Sequence, residues 1–249
     1  MAATTITSLT FEKLDLPLVE PFTIATGAQL AANNVLVRVE LQDGTVGLGE
    51  AAPFPAVSGE TQQSTLQALE KLQKLVVGKD AADWEQLALE LKKADPKNAA
   101  ARCGIEMAVL DAYTKHLNQP LYQFFGGAGT TLFTDYTITA HDAVEKDAEA
   151  ARLISSKGFK TIKIKTEGKN VLHDVERVKQ IQQAAPTCKL IVDGNCGYSL
   201  RSAMEFLEKL EIENIKLELF EQPLRREDWH GQAELTRQSP VPICADETA

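Results

Sequence analysis

The chain has 249 residues, with 26 Lys and Arg against 35 Asp and Glu and a formal net charge of −9, a balance that argues against nucleic acid as a partner. A hydrophobic share of 44% and a charged share of 24% suit an ordinary globular protein, and no apolar run approaches the ~18 residues of a membrane span. The opening MAATTITSLTF has no basic segment leading into an apolar core, and Cys103, Cys188, Cys196 and Cys244 form no C-x-x-C pair, as expected of reduced thiols in a cytoplasmic protein.

Residues 5–15 and 34–50 read as β structure: Val35 to Leu41 alternates in part, Asp43-Gly44 supplies a turn, and Thr45 to Gly49 runs back. Asp-Gly between apolar runs is a hairpin signal. Helical spacing follows over 61–77, 82–93 and 99–117, with Leu66, Leu69, Leu72 and Val76 forming one stripe and Ile105, Val109 and Ala112 another. Strands first and helices after predict a compact α+β domain over residues 1–127. Its close is the Gly- and Pro-punctuated segment Pro120 to Gly127.

From 128 to 249 the pattern changes to regular alternation. Strands are expected at 133–139, 160–165, 188–193, 216–221 and 241–246, with helices at 142–156, 170–184, 199–210 and 226–237. Strand, helix, strand repeated in this way implies a parallel sheet. Five strands do not close an eight-stranded barrel. The expected fold class is therefore α/β: an N-terminal α+β capping domain followed by an incomplete parallel (β/α) barrel, truncated after about five strands.

The charged residues at the strand ends keep that beat. Lys165 to Asp193 is 28 residues, Asp193 to Glu221 is 28, and Glu221 to Asp246 is 25, against the ~30 of a βαβ unit. Chemistry in such barrels sits at the carboxyl ends of the strands. Three carboxylates and two lysines are thus expected at one mouth, a site for a hard divalent cation beside an amine base. Any one carboxylate alone would read as a helix N-cap, and Lys-x-Lys alone as a solvated edge strand; the ordered set argues otherwise. In Thr161-Ile162-Lys163-Ile164-Lys165 both lysines share a face, with Ile162 and Ile164 on the other. Adjacent ammonium groups and a nearby metal would lower a lysine's pKa toward that of a base. All-oxygen ligation suits Mg²⁺, with Mn²⁺ as the alternative. Glu218 and Glu247 have the opposite parity and are assigned outward or to the loop.

Together, Asp111-Ala112, Pro120-Leu121-Tyr122, Gly126-Gly127, Lys163-x-Lys165, Asp193-x-Asn195, Glu221-Gln222-Pro223 and Ala245-Asp246-Glu247 resemble the enolase superfamily in its muconate-lactonising-enzyme branch. The segment Pro21 to Gly27 is most similar to dipeptide epimerases, those of L-Ala-D/L-Glu epimerase type. The resemblance implies a cytoplasmic Mg²⁺-dependent isomerase with a TIM-type barrel. Such an enzyme abstracts the proton α to a carboxylate through an enediolate, with a dipeptide or other small carboxylate as substrate. By position it makes Asp193, Glu221 and Asp246 the metal ligands and Lys165 the acid/base, tuned by Lys163. A second catalytic lysine and an acidic motif for the dipeptide ammonium would fall beyond Ala249, so a truncated chain is expected to be inactive alone.

Phe22, Ile24, Thr26 and Phe54, on loops 21–27 and 52–58, are expected to close over the substrate, with Asn195 beside it. His141 faces the mouth, whereas His116, His173 and His230 read as surface or packing residues. Cys196 reads as an inert thiol near the site, and Cys188 and Cys244 as core. Muconate cycloisomerase and o-succinylbenzoate synthase would reuse the same metal and lysines. A rival from another class is a non-catalytic metal-binding or assembly fragment whose open barrel edge pairs with another chain. No nucleic-acid or membrane partner is expected, and a homo-oligomer is compatible with the sequence.

Overall fold

The structure, a computed structural model, describes residues 2–24, 27–139 and 144–249, without the side chains of residues 20–28. Its first strand, β1 (Ile6–Ile24), runs well past residue 15. Pro17 and Pro21 mask that continuation in the sequence, but β1 is the edge of a sheet ordered β1-β2-β3, where a missing N–H is tolerated. β2 (Gly27–Leu41) and β3 (Val46–Ala51) pair antiparallel from Val35↔Ala51 to Glu40↔Val46. Their turn is closed by Gly44, whose φ of 85° suits glycine, and by Asp43 Oδ1, which accepts from Thr45 N at 2.9 Å,. The expected loop 52–58 contains one helical turn, α1 (Pro55–Ser58).

α2 (Gln62–Val76) begins at a Thr61–Ser64 capping box and buries Leu69, Leu72 and Val76, while Leu66 flanks the core,. A 3₁₀ turn at Ala81–Asp83 leads into α3 (Trp84–Ala94), and α4 (Ala99–His116) follows. Buried Glu60 caps α4 from outside, accepting from Ala100 N at 3.0 Å. Ile105, Val109 and Ala112 of α4 lie in the core as their spacing predicts. β3 meets α4 backbone to backbone: a Cβ at Gly47 would stand 2.0 Å from Ala108 O, and one at Gly49 2.0 Å from Gly104 O. A short helix, α5 (Leu121–Phe124), lies within the Pro120–Gly127 segment.

The second sheet contains β4 (Tyr136–Ile138), β5 (Thr161–Lys165), β6 (Lys189–Asp193), β7 (Leu219–Glu221) and β8 (Ile243–Cys244), in that order and all parallel. Between them run α6 (Val144–Ser156), α7 (Val171–Ala184), α8 (Leu200–Ile212) and α9 (Trp229–Gln238). Each strand is shorter than its expected run, and β5, β6 and β7 lose residues only at their starts; Leu217, for example, is buried ahead of β7. Ile162, Ile164, Leu190, Val192 and Phe220 face the helices and form one core with Val178, Ile181, Phe206, Leu210 and Leu235. Strands neighbouring in sequence order, each crossing over through a helix, give an incomplete (β/α) barrel. The chain divides into two units, Met1–Pro21 with Gln29–Thr131 and Phe22–Ala28 with Leu132–Ala249. Among the described residues no helix is long and apolar enough to cross a membrane.

Candidate active site

Register assembles the site. Lys165 lies level with Asp193, and Asp193 with Glu221, while Glu221 lies level with Cys244, two residues before Asp246. Because Ile162 and Ile164 point into the helix-side core, strand alternation puts Lys163 and Lys165 on the opposite face,. Carboxylate oxygens of Asp193, Glu221 and Asp246 all lie within 4.8 Å of one another. Lys165 Nζ donates to Asp193 Oδ2 at 2.7 Å. Lys163 Nζ stands 2.9 Å from the same oxygen and 2.8 Å from Glu221 Oε1. β5 lies between β4 and β6, so the lysines are not an edge-strand device.

Burial rises from Asp246, which is exposed, through half-buried Glu221 to Asp193, which is 0% exposed. Burial pushes the Asp193 carboxyl up, but hydrogen bonds from Lys165 and Lys163 outweigh it and hold it below the usual range. Glu221 ends above its ordinary value, since burial and the charge of Asp193 outweigh the bond from Lys163. At Lys163 burial lowers the pKa, yet bonds to Glu221 and Asp193 carry it above the ordinary lysine value. The two carboxylates beside Lys163 thus act against the mutual depression expected of the lysine pair,.

The donor set suits a hard cation. All three groups are carboxylates, and further polar capacity lies beside them. Asn195 N donates to Asp193 Oδ1 at 3.0 Å, and Asn195 Nδ2 to Glu247 Oε1 at 3.2 Å. Asn195 Oδ1 and Glu247 Oε2 are buried without a hydrogen-bond partner. Glu247 therefore lies in the loop, as its parity implied, but turns its carboxylate toward Asn195.

Several supports were not assigned from sequence. Arg177 on α7, 1% exposed, donates to Asp147 Oδ2 at 2.6 Å, to Lys165 O at 2.6 Å and to Thr139 O at 3.1 Å. It thereby fixes the ends of β4 and β5. Tyr198 OH donates to buried Asp174 at 2.8 Å, and the same carboxylate accepts from Gly168 N at 3.1 Å, joining the loops after β5 and β6. A buried Arg or Asp inside a helical stripe is the signal that could have marked them.

Phe54 is half-buried at the start of α1 in the first unit. Thr26 and His141 lie outside the described residues, as do the side chains of Phe22 and Ile24. Burial and nearby Glu247 push the Cys196 thiol up to about 11, which keeps it protonated and poorly nucleophilic,. Cys188 is core, but Cys244 is exposed, contrary to expectation: it lies level with Glu221, on the face opposite Phe220, Ile243 and the helix-side core,. Glu218 is exposed and pairs with Lys189 at 2.8 Å, His230 is exposed, and His116 Nδ1 lies 2.6 Å from Asp43 Oδ2.

Two family models account for both units: residues 6–126 match the mandelate racemase / muconate lactonizing enzyme N-terminal domain, and residues 145–249 match the enolase C-terminal domain-like family. An aromatic dipeptide epimerase from Herpetosiphon aurantiacus is 54% identical over 99% of this chain and 69% of its own length. The chain belongs to the mandelate racemase / muconate lactonizing enzyme family. A solved member of this family from Herpetosiphon aurantiacus superposes with a TM-score of 0.97 at 53% identity, over 100% of this chain and 69% of its own. A dipeptide epimerase from Enterococcus faecalis, complexed with Mg and the dipeptide L-Leu-L-Tyr, gives a TM-score of 0.94 at 31% identity, over 98% of this chain and 68% of its own. Among the curated relatives it matches, the chain spans 57% to 69% of their length.

Proposed function

We propose that this family member is a Mg²⁺-dependent epimerase that moves the proton α to the carboxylate of a dipeptide. The observation that carries the reading is the convergence of Asp193, Glu221 and Asp246 within 4.8 Å, with Lys165 Nζ 2.7 Å from Asp193. The relatives named for dipeptide epimerisation support the substrate class.

Asp193, Glu221 and Asp246 would hold the cation. When bound, it supplies stabilisation for the negative charge that grows on the substrate carboxylate as the α-proton leaves. Lys165 takes that proton on Nζ, while the electron pair of the Cα–H bond delocalises into the carboxylate. The transfer uses Lys165 in its neutral amine form, whose buried setting beside Asp193 restricts Nζ to one direction, so that little reorientation precedes transfer. Lys163 bridges Asp193 and Glu221 and keeps the two carboxylates in step. Asn195 is assigned to contact substrate, a reading that its buried, unpartnered Oδ1 supports, and Phe22, Ile24, Thr26 and Phe54 are assigned to the loops that close over the substrate and set specificity.

The test is α-deuterium incorporation by NMR in D₂O by a protein carrying both halves of the barrel, using L,L and L,D dipeptides with aromatic, aliphatic and acidic second residues, with and without Mg²⁺. Exchange that requires Mg²⁺ and is lost from one isomer in Lys165→Ala is the expected result. A base of this kind contributes ~10²–10⁴-fold. Absence of Mg²⁺-dependent exchange from either isomer of every dipeptide would overturn the reading.

A further inference from the structure

Asp193 and Glu221 stand on paired strands, so the ladder sets their positions. Asp246 has no such support: it lies two residues past Cys244, the last residue of β8, and is exposed. Its backbone is held by a side chain from the neighbouring strand end. Gln222 Oε1 accepts from Asp246 N at 2.8 Å and from Thr248 N at 3.1 Å. Gln222 Nε2 donates to Leu224 O at 2.9 Å and to Thr248 Oγ1 at 2.8 Å. Both lone pairs and both N–H groups of the amide are therefore used, in a residue that is 0% exposed,.

The main chain of Gln222 adds two ties. Its N–H donates to Cys244 O at 2.9 Å, and its carbonyl accepts from Cys196 N at 2.8 Å. The residue adopts φ 32°, a left-handed conformation unusual for a side chain of this size,. That conformation lets the chain leave β7 with Glu221 on the mouth side while the next side chain reaches across to the β8 loop. Backbone strain held in place by four side-chain bonds is a pattern found where a local geometry matters.

We propose that Gln222 is a positioning residue for the cation site: its amide sets where Asp246 stands relative to Asp193 and Glu221, and so governs divalent-cation affinity. The inference rests on the metal-centre reading of these three carboxylates. Ligands given only the freedom of an unanchored loop must lose that freedom on binding, which lowers affinity, and groups that orient ligands typically change metal affinity 10–100-fold.

Mg²⁺ is titrated calorimetrically into the unaltered chain, Asp193→Asn, Gln222→Met and Gln222→Glu, with circular dichroism to verify folding. Mn²⁺ spectra by electron paramagnetic resonance at saturation complete the set. Gln222→Met should weaken Mg²⁺ binding at least tenfold and alter the bound-Mn²⁺ spectrum, a change that lower stability alone would not produce. Gln222→Glu keeps the acceptor for Asp246 N and Thr248 N and should restore most of the affinity. No saturable Mg²⁺ binding by the unaltered chain, or equal binding by Asp193→Asn, would overturn the metal centre itself. With the centre intact, wild-type affinity in folded Gln222→Met would overturn the role of Gln222. If the methionine variant does not fold, tenfold weaker binding by Gln222→Glu would overturn it equally. Loss of folding in both would assign Gln222 a structural role alone.

Discussion

Arg177→Met asks how firmly the base is mounted. The guanidinium is 1% exposed and makes three bonds, to Asp147 Oδ2 and to the carbonyls of Lys165 and Thr139. Methionine fills much of the volume but donates nothing. A buried carbonyl deprived of its donor costs about 1–3 kcal/mol, and taking one partner from a buried ion pair costs about 3–5 kcal/mol. These penalties overlap because one group serves all three, so a total of about 4 kcal/mol is expected. Native-state hydrogen exchange reads the loss locally. At about 1.4 kcal/mol per decade, protection of β5 and α7 amides should fall roughly 10³-fold, with α4 in the other unit as the internal control. A fall of less than tenfold in β5, or an equal fall in α4, would refute the mounting argument.

Gly49→Ala should destabilise the first unit by about 1–3 kcal/mol, because its Cβ would stand 2.0 Å from Gly104 O and 2.7 Å from Ala108 N, both backbone atoms; urea unfolding within 0.5 kcal/mol of the parent would contradict this. The Asp43 carboxyl is held down to about 2 by the backbone N–H of Thr45 first and by His116 second. A depressed folded value means that the stabilisation is present above about pH 3.8 and is lost as pH falls through about 2,; an NMR titration midpoint near 3.8 would count against the clamp. Asp193→Asn, Glu221→Gln and Asp246→Asn should each weaken Mg²⁺ binding in calorimetric titration, and unchanged affinity in all three would remove the ligand assignment.

Sequence exposed the strand-end residues because strand parity and the βα period are local patterns: two lysines two apart, then carboxylates at steps of 28, 28 and 25. It concealed whatever depends on side chains crossing between elements. Nothing in the local pattern at Arg177 announces a partner 30 residues earlier, and nothing at Gln222 announces Thr248. The reach of β1 was hidden by Pro17 and Pro21, which a central strand would not admit but an edge strand does. Cys244 reads as core because it lies on a strand; its exposure follows from register with Glu221, which puts it on the face away from the helices.

The Lys165–Asp193–Glu221 alignment across β5, β6 and β7 has a consequence for how this chain tolerates change. A one-residue insertion within β6 would turn Val192 to the mouth and drive the Asp193 carboxylate among the helices, losing the site and burying a charge in one step. The same insertion in the connection between α7 and β6 alters no alternation. Errors in strand pairing therefore penalise themselves during folding, and drift in length should collect in the connections while the strands keep their count.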